Sequence, residues 1–188
     1  LQKIYFPDSI QNITLDNQVN LEVVGIPYID QTATAKSLAT VSISNCNAIT
    51  SLCYPFNEED NLTFGPLKYV QYLTIDNSFN DMTDMNFEGF DKLRTVDINN
   101  MPYIENIDFI DLLPADAVST FERITLANIP KVSKLAFNVT SDANKIAFVD
   151  GATIDLGALN IETLESNTGI QGAKKLILPV GLKELKFT

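Results

Sequence analysis

The sequence predicts a solenoid, in which short strand-and-turn units stack so that their strands form one parallel β-sheet. Two observations predict it. The pattern apolar–x–x–apolar–x–apolar–x–Asn occurs five times in the 188 residues, and in every copy an asparagine stands at the same position after the apolar residues. The terminal asparagines, spaced 28, 32, 23 and 28 residues apart, are Asn17, Asn45, Asn77, Asn100 and Asn128. An ordinary β-sandwich would explain the alternation of apolar and polar residues, but not the asparagines in phase.

The apolar pair in each copy predicts a β-strand with one buried face, because residues two apart point to the same side of a strand. The pairs are Ile13/Leu15, Val41/Ile43, Leu73/Ile75, Val96/Ile98 and Ile124/Leu126. A single short strand cannot bury its apolar face alone, whereas stacked copies bury it continuously. The five pairs are therefore expected on neighbouring strands of one sheet.

The asparagine after each strand predicts an inward turn of the chain. Its amide can bond backbone groups that the turn leaves unpaired, and neighbouring copies can share such bonds in a ladder. A second apolar group, expected to close the core, follows three of the turns: Ile49 and Leu52, Ile104 and Ile107, Val132 and Leu135. The segments between strands predict loops and short helical turns, with the best helix candidate at Phe109–Leu113, before Pro114.

The two ends of the chain share a second pattern. Residues 4–7 read Ile-x-Phe-Pro, residues 176–179 read Leu-x-Leu-Pro, and the two stretches lie 172 residues apart, so both ends are expected in the same phase. The repeat is degenerate at about 143–173, where Ile146-x-Phe148 is the candidate sixth strand and Asp150-Gly151 its turn. These spacings predict a single domain over residues 1–188, with about six to seven irregular repeats, cut from a longer chain.

These motifs resemble the leucine-rich-repeat family, whose pattern is Leu-x-x-Leu-x-Leu-x-x-Asn/Cys-x-Leu. Residues 38–52 (LATVSISNCNAITSL) resemble its cysteine-containing variety, with Cys46 at the turn. The stretches at 4–7 and 176–179 resemble irregular bacterial surface repeats of the BspA-like kind. The resemblance implies a leucine-rich-repeat solenoid of the α/β class. A parallel sheet would line its concave face, loops and short helical turns its convex face, and the ligand would bind the concave sheet.

The exposed strand positions of that sheet are the candidate ligand-binding residues. They are Tyr72, Thr74, Asp76, Thr95, Asp97, Arg123, Lys145 and Lys175. Arg123, Lys145 and Lys175 form a predicted basic column in the C-terminal half, whereas the N-terminal half is rich in hydroxyl and carboxylate groups. A surface graded in this way can orient one partner. The alternative is that Thr and Ser are simply good solvated strand residues.

Composition narrows the function classes. The chain has no histidine, which excludes Ser-His and Cys-His nucleophilic pairs and His-ligated zinc. Its net charge of −11 disfavours nucleic acid and anionic membranes as partners. The sequence shows no apolar run of membrane-spanning length, no signal peptide and no Cys-x-x-Cys, and we expect no cofactor and no metal. Cys46 and Cys53 are expected to be reduced, with Cys46 buried at its turn.

Three functions fit these observations. The first is a non-catalytic recognition module of a surface-exposed or secreted bacterial protein, which binds a protein or glycan. The second is a spacer or assembly component, for instance of a phage particle or surface array. Apolar ends favour flanking repeats or end-to-end self-association: Leu1, Ile4, Phe6, Leu182, Leu185 and Phe187. The third and remote one is a glycosidase that uses two of the carboxylates Asp16, Asp76 and Asp97.

Overall fold

The computed structural model describes residues 1–7, 9–25, 38–53, 64–65, 67, 69–87, 90, 92–110, 121–138, 147–159, 161–166 and 171–187. The strands, in chain order, are β1 (Lys3–Tyr5), β2 (Asn12–Asp16), β3 (Val23–Gly25), β4 (Thr40–Ser44), β5 (Ser51–Cys53), β6 (Phe64–Gly65), β7 (Tyr72–Asp76), β8 (Asp84–Asn86), β9 (Thr95–Asn99), β10 (Asn106–Ile110), β11 (Phe121–Ala127), β12 (Lys134–Asn138), β13 (Ala147–Ala158), β14 (Thr163–Ser166), β15 (Gln171–Ile177) and β16 (Glu184–Phe187). The described residues contain no helix, and so none that could cross a membrane.

The strands form three sheets, and every strand pair is parallel. The largest has seven strands in the order β2-β4-β7-β9-β11-β13-β15. A four-stranded sheet has the order β1-β3-β5-β6, and a five-stranded sheet the order β8-β10-β12-β14-β16. From β7 onward the chain alternates between the seven-stranded and the five-stranded sheet. Each return adds the next strand to the edge of its sheet.

The apolar pairs of the repeat lie where the sequence predicts them. In the seven-stranded sheet, register aligns Ile13, Val41, Leu73, Val96 and Ile124 across neighbouring strands. Their partners two residues later are aligned in the same way, and no member of the five pairs is more than 8% exposed. Buried side chains of all three sheets belong to one hydrophobic cluster. The predicted parallel sheet with one buried face is therefore confirmed.

The five asparagines do form turns, and each adopts a left-handed backbone with φ between 44° and 54°. Asparagine tolerates this conformation better than most residues because its short side chain can hydrogen-bond locally. Backbone groups satisfy the turn directly: Asn45 N donates to Asp76 O at 3.0 Å, and Asn100 N donates to Ala127 O at 3.1 Å. The left-handed residue thus donates a main-chain hydrogen bond to the next coil. A coil here means one strand of the seven-stranded sheet together with the turn and the smaller-sheet strand that follow it.

The prediction that the asparagine amides bond backbone groups of the turn is wrong, whereas the predicted ladder between neighbouring copies is confirmed. The amides bond side chains of the neighbouring coil: Asn77 Nδ2 donates to Asn45 Oδ1 at 2.9 Å, and Asn128 Nδ2 donates to Asn100 Oδ1 at 3.1 Å. These asparagines are half-buried or exposed. The ladder therefore runs along the protein surface, because the main chain has already paired its own groups.

The second apolar group closes the core as expected. All six side chains predicted for it are buried: Ile49, Leu52, Ile104, Ile107, Val132 and Leu135. Cys46 is also buried at its turn as a free thiol, with Sγ 3.1 Å from Ser44 O. Burial raises the pKa of this thiol. The side chain of Cys53 lies outside the described residues.

The helix candidate at Phe109–Leu113 is wrong in its first two residues, which belong to strand β10. Phe109 stacks between Phe87, with ring centroids 4.6 Å apart, and Phe137, at 5.1 Å. The rings come from successive turns of the chain, so this contact is not visible within one repeat. Residues 111–120, Pro114 included, lie outside the described residues. In the described part, β-strands thus stand where the resemblance implied loops and short helical turns.

The candidate sixth strand is confirmed at Ala147 and Phe148, which begin β13, but the apolar pair of the repeat lies further along that strand. Register pairs Arg123 with Thr153 and Ile124 with Ile154, so Ile154 and Leu156 occupy the buried positions expected for Ile146-x-Phe148. Residues 150–151 lie within β13 and form no turn. The usual asparagine is absent here, and Gly157 N instead donates to Asp155 Oδ1 at 3.1 Å. A Cβ on Gly157 would lie 2.8 Å from Cγ2 of Ile177, so a larger residue here would require the Ile177 side chain to shift.

The two ends are not in the same phase of the repeat. Residues 4–7 overlap the end of β1, which belongs to the four-stranded sheet. Residues 176–179 overlap the end of β15, which belongs to the seven-stranded sheet. Both stretches lead into similar turns, in which Ile10 N donates to Pro7 O and Leu182 N to Pro179 O. The shared motif therefore reports a common turn and not a common position in the stack.

Candidate ligand-binding face

The outward side chains of the seven-stranded sheet, which we call the sheet face, form three rows set by strand register. The first row is Asn12, Thr40, Tyr72, Thr95, Arg123, Thr153 and Lys175. The second row is Thr14, Ser42, Thr74, Asp97, Thr125, Asp155 and Ile177. The third row is Asp16, Ser44, Asp76, Asn99 and Ala127. Neighbours in a row are about 4.8 Å apart.

The structure brings together most of the candidate residues. Tyr72, Thr95 and Arg123 are consecutive members of the first row, and Thr74 and Asp97 are neighbours in the second. Asp76 lies on the same strand as Tyr72 and Thr74. Lys175 is exposed and lies in the first row, two strands beyond Arg123.

The predicted basic column is wrong at its middle member. Thr153 occupies the position between Arg123 and Lys175, and Lys145 lies outside the described residues. Sequence reasoning also missed Asp155, in the second row. The signal was present, because residues 153–156 alternate polar and apolar, but no asparagine follows to fix the phase.

Tyr72 is the main aromatic feature of the sheet face. Tyr72 is 39% exposed, and among the residues of this sheet whose side chains the structure describes, no other large hydrophobic residue is as exposed. Its row neighbours are Thr40 and Thr95, two short β-branched residues that favour strands. A large ring therefore stands between small hydroxyl side chains.

Two ion pairs join β9 and the start of β11 beside Tyr72. Arg123 Nη2 lies 2.6 Å from Asp97 Oδ2, and Arg94, one residue before β9, is paired with Glu122. Hydrogen bonding and charge from Glu122 raise the pKa of Arg94, and Tyr72 contributes a smaller electrostatic share. Exposed pairs of this kind add little stability, because solvent screens them. Because of these two ion pairs, the guanidinium groups of Arg94 and Arg123 are each already bound to a carboxylate.

The carboxylates of the third row are hydrogen-bonded to neighbouring polar side chains. Asp16 accepts hydrogen bonds from Ser44 Oγ at 2.9 Å, Asn45 Nδ2 at 3.3 Å and Asn17 Nδ2 at 2.8 Å. These donors, Ser44 first, lower the pKa of Asp16. Asp76 Oδ1 similarly accepts from Asn100 Nδ2 at 2.6 Å.

These surroundings bear on the glycosidase hypothesis. A general acid in such enzymes needs a raised pKa, whereas the donors around Asp16 lower it. Asp97 is held by Arg123, and Asp16 and Asp76 are separated by strand β4. The described residues include no group of three or more His, Cys, Asp or Glu side chains placed to hold a metal ion.

Comparisons with protein-family models, with curated proteins and with solved structures found no match for this chain. The resemblance to leucine-rich repeats therefore rests on the repeat within the chain. The function has to be inferred from the chemistry of the sheet face.

Proposed function

We propose that the chain is a leucine-rich-repeat-like solenoid that serves as a non-catalytic recognition module, and that it binds a protein or glycan through the sheet face. The observation that carries this proposal is the sheet face itself. It holds ordered rows of hydroxyl, carboxylate and guanidinium groups around an exposed Tyr72. We further propose that it belongs to a surface-exposed or secreted bacterial protein.

The solenoid part of the proposal is supported by the recurrence of one turn. Five asparagines with the same left-handed backbone follow five strands of one parallel sheet. After each turn the chain enters one of the two smaller sheets. Stacking of equivalent coils is the simplest arrangement that repeats both features.

The recognition part is supported by rigidity. In the five inner strands of the sheet, main-chain hydrogen bonds on both sides fix the backbone that carries the sheet face. A side chain on such a strand is presented with little backbone entropy left to lose when a ligand binds. Tyr and Arg are among the residue types that most often dominate binding energy, and Arg123 lies two strands from Tyr72 in the same row.

Nucleic acid, membrane insertion, cofactors and catalysis are not part of this proposal. A chain of net charge −11 repels phosphate backbones, and one without histidine lacks the commonest general base.

A binding screen tests the proposal. The purified chain is screened against glycan and surface-protein arrays beside a face variant, Thr74→Arg/Thr95→Arg, which places two bulky cations next to Tyr72. The matched control, Asn20→Arg/Ser133→Arg, adds the same charge at exposed positions outside the seven-stranded sheet. We expect a ligand that the face variant loses and the control keeps. A ligand retained equally by both variants, or no ligand at all from folded protein, would count against the proposal.

An assembly or spacer role is the second candidate, and one observation favours it. Large apolar side chains are exposed near the edge strands β15 and β16, including Val180 at 78% and Leu185 at 41%. A flanking coil or a second copy of the chain would cover them.

A further inference from the structure

The surroundings of Tyr72 define a small patch of the sheet face, made up of Tyr72 and five polar neighbours. The neighbours are Thr40, Ser42, Thr74, Thr95 and Asp97. Four of the five carry a hydroxyl group, which both donates and accepts hydrogen bonds. Around the aromatic ring, the Tyr72 patch therefore offers four groups that can each donate and accept hydrogen bonds, all on paired strands of one sheet.

The charged groups at and beside the Tyr72 patch are paired. The guanidinium of Arg123 is bound by Asp97, and that of Arg94 by Glu122. An acidic ligand would have to displace a carboxylate and approach a chain of net charge −11. The electrostatics therefore favour a neutral ligand over an acidic one.

The shape of the face suits an elongated ligand. Seven strands at about 4.8 Å spacing are about 29 Å across, whereas five strand residues extend only about 17 Å. The face is therefore an elongated strip, and an extended chain can lie along one of its rows.

We infer that the ligand of the sheet face is a neutral glycan chain, with the Tyr72 ring as its stacking platform; this inference rests on the proposed recognition function. The apolar C–H face of a pyranose packs on the aromatic ring, and its hydroxyls exchange hydrogen bonds with the patch. The Arg123 contact at Asp97 Oδ2 fixes the orientation of that carboxylate, which accepts from a sugar hydroxyl.

Affinity electrophoresis tests this inference. The chain is run through native gels that contain a soluble β-1,4-glucan, a β-1,3-glucan or a galactomannan, with polygalacturonate as the acidic probe. We expect at least one neutral polysaccharide to retard the chain. Tyr72→Ala should weaken this retardation by about tenfold, whereas Tyr72→Phe, which keeps the ring, should retain most of it.

Tyr103→Ala is the matched control. Tyr103 is 43% exposed and lies outside the sheet face, in the turn after β9, where Lys131 Nζ is 4.5 Å from its ring centroid. Circular dichroism verifies that all variants are folded. Retardation by polygalacturonate alone, or equal losses for Tyr72→Ala and Tyr103→Ala, would overturn the inference.

The outcomes also separate the inference from the proposed function. If no polysaccharide retards the chain but the array screen yields a protein ligand that is lost in the face variant, the glycan inference fails and the recognition function stands. If neither polysaccharide nor protein binds, both fail.

Discussion

At the residue scale, the five turn asparagines contribute in two ways: their backbone adopts the left-handed conformation, and their side-chain amides form hydrogen bonds. The left-handed conformation costs most L-residues about 1–2 kcal/mol, and asparagine is among the few that visit it routinely. Five turns use it at the same place, which explains the in-phase asparagines of the sequence. The amides then link neighbouring coils at the surface.

Asn100 allows these two contributions to be separated. Asn100→Ala should lower the free energy of unfolding by about 1–2 kcal/mol, because it combines a left-handed alanine with loss of the hydrogen bonds to Asp76 and Asn128. Asn100→Gly removes the same bonds but relieves the backbone and should cost less. Urea denaturation measures both. Equal losses for the two variants would mean that the amide ladder, and not the backbone, sets the preference.

Asp16 predicts a pH dependence of stability. Its pKa is lowered in the folded state, so its contribution is fully present above the unfolded value of 3.8 and is lost as the pH falls through the folded pKa. Asp16→Ala should therefore be less stable than the parent at neutral pH, and the difference should shrink well below pH 3.8. Urea midpoints across this range measure it, with Asp81→Ala, at another exposed carboxylate, as control. A difference that stays constant with pH would contradict the assignment.

At the element scale, contacts between coils determine the secondary structure of stretches whose local sequence fits either a helix or a strand. The stretch Phe109-Ile110-Asp111-Leu112-Leu113 is apolar enough for either a helix or a strand. Because β10 pairs in parallel with β8 and β12, the first two residues of this stretch form a strand. The same pairing aligns Phe109 with the rings of Phe87 and Phe137. Such a contact joins residues more than twenty positions apart, which a local pattern does not reveal.

The aromatic stack should be a major source of stability. Phe109 is fully buried, so Phe109→Ala should lower the free energy of unfolding by about 3–5 kcal/mol, while Phe109→Leu, which retains more volume, should cost less. Urea denaturation of both variants gives the comparison. A loss below about 1 kcal/mol for Phe109→Ala would show that the stack contributes little.

The error at the sixth strand has a physical cause of the same kind. Residues 146–148 and residues 153–156 both alternate, and either stretch can form a strand. Residues 147–148 and 153–156 both lie in β13: Phe148 pairs with Phe121 of β11, but Ile154 is the residue opposite Ile124, and the irregular pairing of β13 accommodates the residues between.

At the scale of the whole molecule, one apolar cluster runs through all three sheets, and the edge strands leave part of the apolar surface exposed. Exposed apolar surface beside an open strand edge is a recognised route to association. The net charge of −11 opposes association through mutual repulsion. The balance between these two effects decides the oligomeric state.

The assembly hypothesis predicts that the chain self-associates and that the surface near β15 and β16 is responsible. Val180→Lys/Leu185→Lys should reduce association, because it places cations on the exposed apolar side chains. Tyr103→Lys, at an exposed ring in the turn after β9, should not. Sedimentation velocity over a range of concentrations and at moderate salt compares the variants. Equal association of all three proteins, or a monomeric parent, would argue against the assembly role.

The sequence by itself determined the repeating elements: the buried pairs of five strands, the five turns, the apolar residues that follow them, and most of the sheet face. Each depends on a period of two or on one residue's backbone preference, and both are local properties. The tertiary structure alone decided the side-chain partners of the asparagine ladder, the phase of the ends, the strand at Phe109 and the Thr153 position in the first row. These depend on which coil lies beside which. Parallel pairing selects among local alternatives of similar energy, and that selection is made only when the neighbouring strand is in place.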